Sequence, residues 1–223
     1  ERGQFAELAR SLQEYRKGRP EDIATARAGA SALLQSPDPA HRELVLKVFR
    51  EVLEKAPDWV DVRYALAYGL HLQGDLGQAV AEYRKVLAGD PGYVPALNDL
   101  AWILGTENGQ KEEALELANR GVAIDPTDIH LLDTRGVILR ELGRCDEAKK
   151  DFERLVEMTD GQPRPRARAL LQLARTCCRL EQRQEALGYL KQAQTADGQQ
   201  AAFSDREKAE ITKLLRECQR NEG

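Results

Sequence analysis

Apolar residues along this chain recur at intervals of three and four, in stretches separated by short polar breaks that carry Gly, Asn, Asp or Pro. That spacing places the apolar residues on one stripe of a helix, and each break stops the helix before it grows long. The segment HRELVLKVFREVLEK, residues 41–55, reads as a clear helix of this kind. Near the carboxyl end, Ser204 and Glu207 form a capping box, and Ile211, Leu214, Leu215 and Cys218 share one face of the helix it opens. A further helix is expected at the amino end, around Phe5, Leu8 and Leu12. The segment ALNDLAW, residues 96–102, fits the rule less easily. Leu97, Leu100 and Ala101 suit a core, while Asn98, Asp99 and Trp102 interrupt them.

The conflict eases once the pattern is compared with itself. Pro57, Pro91 and Pro126 recur at steps of 34 and 35 residues. Val45, Ala79, Ala114 and Ala148 keep steps of 34, 35 and 34, and four positions after each stand Phe49, Tyr83, Ala118 and Phe152. Paired positions precede the loops: Leu66-Ala67, Leu100-Ala101, Arg135-Gly136 and Leu173-Ala174. Such a period marks stacked supersecondary units, none of which buries its apolar side alone.

On these residues the chain resembles the tetratricopeptide repeat, a helix-turn-helix unit of 34 residues with the pattern W-x2-L-G-x2-Y, A-x3-F, P. The general pattern is also loosely similar to bacterial proteins with many such repeats. The resemblance implies an all-α fold, a right-handed superhelical solenoid of antiparallel helix pairs with about twelve helices and capping helices at its ends. The units read as 26–59, divergent; 60–93; 94–128, with one inserted residue at GTENG; 129–162; and 167–200. Residues 1–25 form an amino-terminal helix or degenerate repeat, and 203–220 a helix that seals the stack. In the divergent unit the first helix falls near EDIATARAGASALL. Two prolines in TDGQPRPR are expected to end one helix and delay the next, with RPRAR leading into it as linker.

Leu66, Leu97, Leu100, Ala101, Leu104, Ala114, Ala148, Phe152, Leu170 and Leu173 then belong to the shared core. The adjoining face of each first helix is, in resembling proteins, a concave groove in which peptides lie. Aligning the units selects Asp61, Tyr64, Tyr68, His71 and Leu72; Asn98, Trp102 and Thr106; His130, Asp133, Val137 and Arg140; and Arg168, Leu171, Arg175 and Arg179. The first half is aromatic and amide-bearing, the second rich in arginine, and these types are enriched where binding energy concentrates. The resemblance therefore implies a protein or peptide partner that joins an aromatic or aliphatic anchor to acidic residues. A clamp for carboxyl-terminal carboxylates, known in some members, is disfavoured because Tyr64 and Tyr68 stand where a Lys and an Asn would be needed.

Composition narrows the field further. Aromatic residues make up 5% and charged residues 31% of the 223, a helix-favouring balance. A formal charge of -4 supplies no field to gather phosphate, so a helical repeat that reads RNA is a weaker reading. The apolar runs are too short to insert in a membrane. No phosphate loop, nucleophile elbow or HExxH occurs, and neither an enzyme nor a cofactor is expected. Cys145, Cys177, Cys178 and Cys218 lack CxxC spacing, which argues against zinc; free thiols slightly favour the cytoplasm. The chain begins at Glu1 and reads as trimmed or processed, so a missing leader carries no information. The alternative to a peptide-binding scaffold is a self-association module of a larger bacterial protein, and the oligomeric state is left open.

Overall fold

The computed structural model describes residues 39–107, 109–200 and 203–219. The helices expected around Phe5 and at EDIATARAGASALL lie outside the described residues, within which there are ten helices and no strand. They are α1 (Pro39–Lys55), α2 (Val60–Gln73), α3 (Leu76–Gly89), α4 (Val94–Thr106), α5 (Lys111–Ile124), α6 (Ile129–Glu141), α7 (Cys145–Met158), α8 (Pro163–Arg179), α9 (Arg183–Gln200) and α10 (Asp205–Gln219). Short links join them, as in helical hairpins.

Turn chemistry sets the links. Gly74 ends α2 at φ 83°, a left-handed value that glycine adopts without steric cost, while the Asp75 side chain accepts the Gln78 N–H to open α3. Only those two residues separate α2 from α3, whereas α4 ends at Thr106 and α5 begins at Lys111. The inserted residue therefore lengthens this connection. At TDGQPRPR the expectation of a delaying linker is corrected. Pro163 starts α8, and Pro165 lies in its first turn, where backbone N–H groups have no partner within the helix in any case. RPRAR is thus helical.

The chain divides after Leu100 into two compact units. In the first, α2 packs on α1 and α3. Val45, Phe49, Leu66, Ala67, Leu70, Ala79 and Val86 are buried there, and Tyr83 fills the aromatic slot with no exposure at all. In the second, α5 to α10 pack each on the next. The first helices of successive pairs, α6 and α8, also touch. Gly136 is needed for close approach, since a Cβ there would lie 2.7 Å from the buried Phe152 ring. Every core position named from the repeat is buried. On α10, Ile211 and Cys218 are buried and Ser204 and Glu207 form the expected reciprocal capping box, the Ser204 N–H donating to Glu207 at 2.8 Å.

Candidate functional site

In the first unit, the face selected on α2 is an aromatic–carboxylate network. Asp99, near the middle of α4, accepts the Tyr64 hydroxyl at 2.9 Å and the Tyr83 hydroxyl at 3.1 Å on the same oxygen, Oδ2. Its Oδ1 accepts the Asn98 amide at 3.2 Å. The Tyr64 ring centroid lies 5.2 Å from that of Tyr93 and 5.8 Å from that of Tyr83, both tilted, and the Tyr93 hydroxyl donates to Asp61 at 2.9 Å. Burial, and next the Asp99 charge, push the Tyr64 and Tyr83 phenols well above the usual range, so both stay protonated donors. Asp99, which no repeat position assigned, is therefore the hub.

Tyr68 differs from its neighbours. Its ring stacks at 6.4 Å on Tyr64, it is half-buried, and its hydroxyl has no hydrogen bond among the described residues. One turn on, His71 is half-buried with its Nδ1 buried and unpartnered among the described residues, and Leu72 is exposed. These three form the accessible part of the face, while Tyr64 and Asp61 are committed within it.

In the second unit, Trp102 is half-buried, its carbonyl accepting the Thr106 hydroxyl at 2.7 Å, and His130 is exposed in the first turn of α6. Val137 and Leu171, selected from the sequence as groove residues, are instead core residues. Their faces turn inward where α6, α7, α8 and α9 pack.

Two of the four arginines, Arg140 and Arg175, meet one side chain, Gln172 on α8. Gln172 Oε1 accepts from Arg140 Nη1 at 2.9 Å and from Arg175 Nη1 at 3.2 Å, while its Nε2 donates to Asp133 at 3.2 Å. Arg140 is only 7% exposed and lies 5.6 Å above the Phe152 ring, a cation–π contact in place of a direct ion pair. Burial, and then the charge of Arg175, push its guanidinium below the usual arginine value. Arg175 donates twice to Glu210 of α10, at 2.9 and 2.6 Å, and Arg179 pairs with Glu141 at 3.1 Å. Arg168 is exposed and has no hydrogen bond or ion pair among the described residues. Thus Arg175 and Arg179 brace neighbouring helices, Arg140 is buried, and Arg168 faces solvent.

Burial pushes the Asp133 carboxyl above the usual range, although Gln172 and Arg140 pull the other way. At low pH the group is protonated folded and unfolded, and no penalty exists. As pH climbs through the unfolded and then the folded pKa, the native state loses stability that it does not regain. Asp133→Asn is therefore expected to melt above the parent at pH 7, with the gap closing as pH falls toward about 4. A gap independent of pH in paired thermal melts would remove the carboxylate charge from this explanation.

Among the described residues no group of three or more His, Cys, Asp or Glu side chains is arranged to hold a metal ion, and no helix is long and apolar enough to cross a membrane. The one tight basic cluster is partly occupied, with Arg166 donating to the Val156 carbonyl at 2.9 Å and pairing with Asp160 at 3.1 Å.

Two family models, each described as tetratricopeptide repeat, match residues 70–135 and 128–198. Together they span more than half of the chain. The TPR repeat-containing protein PA4667 of Pseudomonas aeruginosa is 25% identical over 148 residues, 66% of this chain. The chain spans only 25% of that relative's length. Among solved structures, MamA residues 41 to the end from Desulfovibrio magneticus RS-1 superposes with a TM-score of 0.69 at 18% identity, covering 80% of this chain and 97% of that one. PilW, a widely conserved type IV pilus biogenesis factor, gives a TM-score of 0.71 at 17% identity, covering 87% of each chain. At such identities the likeness is one of fold.

Proposed function

The chain belongs to the tetratricopeptide repeat family, and from that premise we propose that it is a non-enzymatic scaffold that holds an extended protein segment against its first helices. Repeats of this architecture present long binding faces whose side chains vary while the lattice beneath stays constant. One observation carries the reading. Tyr68 in the first unit, and Trp102 and Arg168 in the second, keep accessible surface and make no side-chain hydrogen bond or ion pair among the described residues, while Tyr64, Asp99, Arg175 and Arg179 are tied to one another or to neighbouring helices.

The chemistry of those three favours a segment with an aromatic or aliphatic anchor and acidic residues. Taking each unit by itself, an apolar anchor would pack on Tyr68 in the first, and carboxylates would meet Arg168 in the second, where a guanidinium offers paired donors to an incoming carboxylate. Selection from a random displayed-peptide library tests the chemistry, with enrichment of sequences that join a large apolar residue to Asp or Glu as the expected result. Enrichment of basic peptides would contradict it. Light scattering across concentration separates this reading from self-association, in which the molar mass would climb with concentration.

A further inference from the structure

Cys178 and Cys218 are each the penultimate residue of their helix, α8 and α10, and their sulfur atoms lie 4.0 Å apart. The same two helices are joined one turn earlier on α8 by the doubly hydrogen-bonded Arg175–Glu210 pair. Their neighbouring ends are thus held in register before any covalent link forms. Cys178 is half-buried and open to a small reagent, whereas Cys218, Cys145 and Cys177 are buried. A disulfide needs its sulfurs about 2 Å apart, so each must close part of a gap of about 2 Å, within reach of side-chain rotation and a small slide of the terminal helix.

We propose that Cys178 and Cys218 are a reversible dithiol–disulfide pair that staples the terminal helix α10 to α8. The oxidant is a low-molecular-weight disulfide. The Cys178 thiol gives its proton to solvent, and the thiolate attacks one sulfur of that disulfide, breaking its S–S bond and releasing one small thiolate. The Cys218 thiol then gives up its proton and attacks the Cys178 sulfur, breaking the mixed disulfide and expelling the second small thiolate. The two protein thiols lose two electrons and two protons in all, and the oxidant leaves as two small thiols.

Burial pushes the Cys178 thiol up to about 12, which keeps the thiolate scarce while α10 is docked. Oxidation is therefore slow and follows transient release of the helix. This distinguishes the pair from a catalytic dithiol, whose attacking sulfur ionises near neutrality. Once formed, the bond closes a 40-residue separation and removes the freedom of α10 to leave. The inference does not depend on what the repeats bind.

The test equilibrates the full chain in glutathione buffers of graded redox ratio, traps free thiols by alkylation, and maps non-reduced tryptic peptides. The expected product joins TCCR, residues 176–179, to ECQR, residues 217–220. It should persist in Cys177→Ser, disappear in Cys178→Ser and Cys218→Ser, and revert on reduction. Hydrogen exchange along α10 should slow by about tenfold or more on oxidation of the parent chain and remain unchanged in Cys218→Ser. If the oxidised chain carries only glutathione adducts, if the link requires Cys177, or if all four thiols stay alkylatable at every ratio, the proposal fails.

Discussion

Phe152→Ala is expected to destabilise the second unit by about 3–5 kcal/mol, more than any other single substitution named for this protein. The ring has no exposed surface, it backs the Gly136 approach on α6, and it lies beneath the Arg140 guanidinium. Removing it opens a cavity, and also strips a nearly buried cation of the ring that partly replaces its hydration. Phe152→Leu keeps much of the volume and should lose less than half as much. The urea midpoint reads the loss. Hydrogen exchange should place it first in α6 and α7 and then in the next helix pair, because stability in such arrays passes between neighbours. A Phe152→Ala midpoint within the error of the parent would refute the interlocking core.

The second large effect belongs to a polar residue. Asp99→Ala is expected to cost about 2–4 kcal/mol, since it leaves the hydroxyls of Tyr64 and fully buried Tyr83 without their shared acceptor. Asp99→Asn retains an acceptor oxygen and should cost about 1 kcal/mol. If the two variants unfold at the same denaturant concentration, the hydroxyls have found other partners and Asp99 is not the hub.

This pairing also shows what the sequence made legible. The repeat period placed Leu66, Leu100, Ala114, Phe152 and Leu173 in the core because their burial follows from spacing alone. Contacts between successive first helices were harder to see. Tyr64 with Asp99 and Arg175 with Glu210 are both 35 residues apart, one repeat step, and Asp61 with Tyr93 is close to it at 32. Complementary side chains one period apart are the signal for such contacts, and no single helix carries it. Val137 and Leu171 were misplaced for a related reason. A helix packed on three neighbours buries a wider arc than a stripe of alternate turns suggests. Proline ends helices but also suits their first position, and at Pro163 the second property decides.

The binding account predicts that accessible side chains of the first helices carry affinity without carrying stability. A peptide from the displayed library, titrated calorimetrically against the full chain, tests this with Tyr68→Ala, Trp102→Ala and Arg168→Ala. At least two of the three should weaken binding by about tenfold or more, a loss of about 1.4 kcal/mol each, with melting temperatures unchanged. Added salt should further weaken the parent but have less effect on Arg168→Ala. Equal affinity of all three variants and the parent would contradict the account.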